Sequence, residues 1–382
     1  MKNFHCGRCS SQIFFESTTC LHCGAMLGYL PEQCVMAGFE PAETVGQWHL
    51  LGGEDSGKRY KQCANYASHG VCNGVLDADD AQELCRCCRL TQIIPSLSSE
   101  QNVAYWRKLE TAKRALLYSL QSMRLDPFAA RPDGSSEMRF QFMESGLADG
   151  EIMTGHYDGI ITINLAEADP VERERHKEDM HEPYRTLLGH FRHESGHFYF
   201  EKLIASGDGN WLEDFRARFG DERADYGASL QRYYAEGKSK VRDDNFVTPY
   251  ASSHPWEDWA ETWAHYLHMI DTLETAYACG LGLKPRHAEE PRLGNAPATL
   301  TAAAFERIGR DWLSLSYVLN GLNRSMGMPD PYPFALSNTV LDKLAFVHRL
   351  VLSRRTMRPA RSRPAVAMQQ QANLLQGIEY GV

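Results

Sequence analysis

His193-Glu194-Ser195-Gly196-His197 sets two imidazoles four residues apart, with a carboxylate beside the first. On a helix the two rings share one face, one turn apart. So placed they can hold one Zn²⁺, and Glu194 can take a proton from a water that the metal acidifies. Leu187, Leu188, Phe191, Phe198 and Leu203 recur near the helical period, so the spacing predicts a helix here. His190, one turn earlier, reads as a hydrogen-bonded packing residue or as a support for the site. The five-residue pattern is only suggestive by itself. A second segment, Tyr250 to His268, gives it weight. Pro255 suits the first turn of a helix, on which Glu257 and Glu261 stand four apart among Trp, Ala and Leu. Two carboxylates on so apolar a helix need partners, because an unpaired buried charge is costly. A metal and its ligating histidine would serve both.

Cysteine offers a different metal chemistry. Of eleven cysteines, ten lie at or before Cys88. Cys6-Gly7-Arg8-Cys9 and Cys20-Leu21-His22-Cys23 are two C-x-x-C knuckles, and together they complete a tetrahedral Cys₄ zinc site. Iron or redox thiols are the alternatives. Four protein ligands leave no open position for substrate, so such a site is structural, and it allows a segment too short for its own core to fold. Cys63, Cys72, Cys85 and Cys88 form a second candidate Cys₄ zinc site, with Cys87 and Cys34 left over. Free buried thiols are the competing reading.

Composition narrows the rest. At 382 residues the chain can bury a full core, and 43% apolar with 23% charged residues is ordinary for a globular protein. The formal net charge of −9 argues against a nucleic-acid partner held by a broad basic surface. Residues 1–98 carry seven basic against ten acidic side chains, so the cysteine-rich region suits docking, to a protein partner or to the rest of the chain, or a structural role. No apolar run is long enough for a bilayer span, and the first residues lack the apolar core of a signal peptide, so the expected location is the cytoplasm.

The elements that must position these residues follow from pattern. Ile94 to Glu100 reads as a linker, and residues 101–124 as a helix. Met138 to Glu144, Ile152 to Tyr157 and Gly159 to Leu165 read as strands of a small sheet just before the histidine helix, where an edge strand could pair with an extended peptide. Trp211 to Phe219, Asp221 to Tyr234, Ala302 to Leu322 and Val340 to Leu352 read as helices. Asp221-Glu222-x-x-Asp225-Tyr226 is either a charged helix start or a set of groups that orients the site. From Arg354 the Arg, Pro, Ala and Gln content suggests a disordered tail. The expected fold class is α+β, with a cysteine-rich region over 1–94, a mainly helical domain with a small β-sheet over 100–355, and the tail over 356–382.

With these residues in view the chain resembles the bacterial family of zinc-binding metallopeptidases that carry an N-terminal zinc ribbon. The likeness rests on Cys6 to Cys23, Cys63 to Cys88, Ile163 to Asp169, Tyr184 to Glu194 and His254 to His268. It implies a zincin-like domain of the gluzincin type, with His193, His197 and a downstream Glu as zinc ligands. A more distant likeness, to the lethal-factor type of gluzincin, implies that Glu257 is that ligand. It further implies that Tyr250, seven positions earlier, is catalytic. Glu261 is expected to hydrogen-bond the far nitrogen of a ligating histidine. The resulting expectation is a zinc peptidase with Glu194 as general base, one catalytic and two structural zinc ions, and a peptide or protein substrate. A non-catalytic zinc-ribbon adaptor and a SprT-like DNA-associated protease are the alternatives. An adaptor would not need Glu194, and the SprT type is basic, with its ribbon C-terminal.

Overall fold

The structure, a computed structural model, describes residues 3–52, 57–130, 137–144, 152–179, 184–206, 210–235, 243–287, 289–295 and 303–356. The expected tail lies outside these except for its first residue. The class is α+β, a cysteine-rich β region followed by a mainly helical region.

Short strands fit a region ordered by its cysteines. Strands β1 (Phe4–His5) and β2 (Gln12–Ile13) form the hairpin around the first knuckle. An antiparallel sheet follows in the order β3 (Met26–Leu30), β4 (Val35–Pro41), β5 (Gln47–Leu50), β6 (Arg59–Gln62) and β7 (Val75–Asp77), with the short helix α1 (Ala64–Ala67) between the last two. Strand β8 (Thr91–Ile93) leaves this region and pairs in parallel with β9 (Arg139–Met143). The segment read as a linker therefore begins only after the cysteine-rich region has given a strand to the second sheet.

That sheet has the order β10-β11-β9-β8, with β10 (Gly155–Tyr157) antiparallel to β11 (Ile160–Asn164). Alternation explains its inner face. Phe140, Phe142, Ile161 and Ile163 are buried, and the first two meet Phe191 at ring-centroid distances of 5.8 and 6.1 Å.

The helices are α2 (Glu100–Ser122), α3 (Pro170–Asp179), α4 (Leu187–Phe200), α5 (Trp211–Phe219), α6 (Tyr226–Ala235), α7 (Pro255–Ala278), α8 (Phe305–Ser325) and α9 (Asn338–Thr356). Helix α6 starts later than the sequence suggested. Asp221 is spent on Arg223, and Asp225 instead caps the helix by accepting from the Ala228 amide at 2.9 Å. Helix α4 is capped by Thr186, whose hydroxyl accepts from the Gly189 amide at 3.0 Å.

The packing of α4 on α7 sets the site. A Cβ at Gly196 would lie 2.9 Å from the Ala260 Cα, so only glycine permits this approach. Two indoles of α7 then reach polar atoms of α4: Trp259 donates to the Gly196 carbonyl at 2.7 Å, and Trp263 to the Ser195 hydroxyl at 3.0 Å. The Ser-Gly pair between Glu194 and His197 is thus the contact surface for α7. One continuous apolar core runs from Phe4, Phe15 and Tyr29 past α2 to α4 and α7.

Candidate metal centres

On α4, the helical period brings His193 and His197 to one face, with ring centroids 5.1 Å apart. Glu257 of α7 faces both, its Oε2 3.0 Å from His193 Nε2 and its Oε1 3.6 Å from His197 Nε2. The candidate ligand atoms of the three residues all lie within 4.8 Å of one another.

The hydrogen bonds around them decide what can lie between. Glu261 stands one turn after Glu257 on α7, and its Oε1 accepts from His193 Nδ1 at 2.7 Å, while its Oε2 accepts from the Thr248 hydroxyl at 2.8 Å. In a neutral His193 with its proton on Nδ1, Nε2 carries a lone pair and faces Glu257 Oε2, a carboxylate oxygen with no hydrogen-bond donor among the described residues. In that form two acceptors stand 3.0 Å apart, a gap that a second proton on the ring fills in the absence of metal and that a metal cation fills in its place. Burial opposes charge on His193, but Glu257 and Glu261 outweigh it and hold its proton affinity well above the histidine range. Burial likewise works to raise the pKa of Glu257, yet His197 and His193 prevail and keep it well below the usual carboxylate range. A set of two imidazoles and one carboxylate suits Zn²⁺.

Glu194 is nearly buried beside these groups. Burial raises its pKa, with His193 and His197 opposing and Glu257 adding. Tyr250 lies in the 3₁₀ turn Tyr250–Ser253 before α7, its ring centroid 6.1 Å from that of His193. Burial, then Glu257, Tyr226, Tyr234 and Glu194, hold its phenol protonated.

Two neighbours were not assigned to the site from sequence. The Tyr226 hydroxyl at the start of α6 donates to Glu257 Oε1 at 2.7 Å. The alternatives for the Asp221 to Tyr226 stretch thus divide: Asp225 serves the helix start, Asp221 and Glu222 pair with Arg223 and Arg216, and the tyrosine reaches the site. His156 of β10 stacks on His197 at 6.5 Å and 17°, and burial and His197 push its pKa down to about 3. Alternation along β10 turns His156 inward between Gly155 and Tyr157, the only signal that could have singled it out. His190 is directed elsewhere, with Nδ1 3.3 Å from Glu167 Oε2.

The cysteines gather as two quartets, Cys6, Cys9, Cys20 and Cys23, and Cys63, Cys72, Cys85 and Cys88. Each is free of disulfides. Sulfur separations of 3.6 Å for Cys6–Cys23 and Cys9–Cys20, and 3.8 Å for Cys72–Cys85, lie far beyond a disulfide bond. They match the edge of a ZnS₄ tetrahedron, about 3.8 Å for a Zn–S bond near 2.3 Å. In the second quartet the Gly74 amide donates to Cys72 Sγ at 3.1 Å and the Cys85 amide to Cys63 Sγ at 3.3 Å, which suits thiolates. A Cβ at Gly74 would meet Cys85 Sγ at 2.5 Å, so the backbone can pass this close only as glycine. Cys34 and Cys87 stand outside both quartets.

Comparison with known proteins adds two family matches. Residues 102–350 match a family described as "Putative zinc-binding metallo-peptidase", and residues 3–99 match a zinc-ribbon domain. Similar relatives are proteins of Mycobacterium bovis and Mycobacterium tuberculosis, each named only as an uncharacterized protein. Both are 40% identical over 351 residues, covering 92% of this chain and 95% of the relative. No solved structure matches the chain. Among the described residues no helix is long and apolar enough to cross a membrane.

Proposed function

Because the chain belongs to the zinc-binding metallopeptidase family with an N-terminal zinc ribbon, we propose that it hydrolyses peptide bonds at a zinc held by His193, His197 and Glu257. The observation that carries this reading is the convergence of the His193, His197 and Glu257 ligand atoms, all within 4.8 Å of one another, with Glu261 fixing the His193 ring from behind. Two further zinc ions, at the cysteine quartets, are structural.

Zn²⁺ bound at the histidine site supplies a Lewis acid, which acidifies a water and polarises the scissile carbonyl. The rest of the chemistry falls to the chain's own groups. Glu194 takes the proton from the attacking water and passes it to the leaving amine nitrogen. Its raised proton affinity, owed chiefly to burial, makes it a stronger base than an exposed carboxylate. The protonated phenol of Tyr250 donates to the developing oxyanion. Tyr226 and Glu261 hold Glu257 and His193 in position. Among the described residues strand β10 is at the end of its sheet, antiparallel to β11 and next to α4 through His156, so an extended peptide can add along its outer edge.

The test is cleavage of a mixed peptide library by the zinc-loaded full chain. Cleavage should stop with 1,10-phenanthroline and return when zinc is restored. Cleavage that survives complete removal of the metal would defeat the proposal.

A further inference from the structure

Three ionisable side chains of α2 take no part in the chemistry around Glu194, yet they are buried. Glu110 and Lys113 have fully covered side chains and Arg114 is 4% exposed. Lys113 Nζ lies 2.8 Å from Glu110 Oε2 and 2.9 Å from Oε1, and Arg114 lies 4.0 Å from Oε2. Thr91 and the Trp106 indole also donate to Oε1, at 2.9 and 3.4 Å, and Lys113 bonds the Thr91 hydroxyl. Two cations against one carboxylate leave a surplus positive charge in the interior, which is unfavourable unless an anion lies close.

What lies close is the second cysteine quartet. Cys88 Sγ is 4.0 Å from Glu110 Oε2. Arg114 donates to the carbonyl of Val71, the residue before Cys72, at 3.0 Å, and Arg107 donates to that of Gly70 at 2.9 Å. Arg114 Nε is buried without a hydrogen-bond partner among the described residues. Burial opposes the charge on Arg114, but Cys72, Glu110, Cys88 and Cys85 outweigh it; for Lys113 burial is outweighed by Glu110, Cys88 and Cys87. Four neutral thiols could not balance this surplus. Four thiolates on Zn²⁺ carry a net charge of −2, which the surplus cation halves while the Gly74 and Cys85 amides spread the remainder.

We propose that Arg114 and Lys113 are the counter-cations of the second cysteine site. That zinc then depends on the first long helix of the peptidase region as well as on its four sulfurs, and it fastens the ribbon to α2. The inference rests on reading Cys63, Cys72, Cys85 and Cys88 as a zinc site, and not on peptidase activity.

The experiment titrates the purified full-length protein with EDTA and follows alkylation of each cysteine by mass spectrometry. In Arg114→Met the second quartet should become reactive at about 10–100-fold lower chelator, the cost typical of losing a group that supports a metal ligand. The first quartet should respond as in the wild type, and Arg114→Lys should restore the second. Lys113→Met provides an independent variant with the same expectation. Unchanged protection of the second quartet in both Met variants would overturn the proposal. So would equal exposure of both quartets, which would report general unfolding. If the wild type never protects the second quartet, the zinc reading of that site fails instead.

Discussion

The Tyr226 hydroxyl donates to Glu257 Oε1 at 2.7 Å, joining the start of α6 to the carboxylate that α7 presents to two histidines. The bond leaves Glu257 Oε2 free to face His193. Tyr226→Phe should keep the fold and lower the affinity of the histidine site for zinc by about 10–100-fold, as loss of such supports generally does. Chelator competition measures this, and unchanged affinity would remove Tyr226 from the account.

Glu257 is buried and Glu261 only partly so, and they do different work. Glu257→Ala should strip the zinc from the histidine site, because it removes a ligand. Glu261→Ala should only weaken it, because His193 keeps its Nε2 and loses a partner behind the ring. Metal analysis of the two variants gives the order, and the reverse order would exchange the roles.

Tyr250→Phe should retain zinc and substrate affinity while kcat falls about 10²–10³-fold, the usual effect of removing an oxyanion donor. A wild-type rate would place the donor elsewhere. His254 and His265 are poor substitutes, since His254 Nε2 bonds the Ala224 carbonyl at 3.1 Å and His265 Nδ1 meets the Tyr332 hydroxyl at 2.8 Å. Tyr226 would then be the next group to test.

Gly196→Ala should push α4 from α7, since its Cβ would sit 2.9 Å from the Ala260 Cα and 3.2 Å from the Trp263 ring. Overpacking of this kind typically costs about 1–3 kcal/mol. Chemical unfolding measures the loss, and zinc should bind the histidine site more weakly because His197 is displaced relative to Glu257. Wild-type stability would show that the helices can separate freely.

Much of this site was legible because its key spacings are local. Two histidines four apart, two glutamates four apart and paired C-x-x-C knuckles each report a face or a turn that the backbone enforces. Tyr226 was not assigned because its meeting with Glu257 depends on how α6 returns across α7, which no local period encodes. The ribbon strands were missed for another reason. Leu27 to Leu30 are buried on both faces of β3, so alternation vanishes where the strand is most enclosed. Strand β8 is too short, at three residues, to announce itself, and it forms because β9 offers it an edge.

The central claim is that Glu194 moves the proton in a zinc-dependent cleavage of peptide bonds. Its most direct test is N-terminal profiling of a proteome incubated with the zinc-loaded wild type or with Glu194→Gln, after metal analysis has shown equal zinc in both. The account predicts new N-termini with the wild type and almost none with the variant, since losing a general base costs about 10²–10⁴ in rate. Equal sets of new N-termini from the two proteins would contradict it.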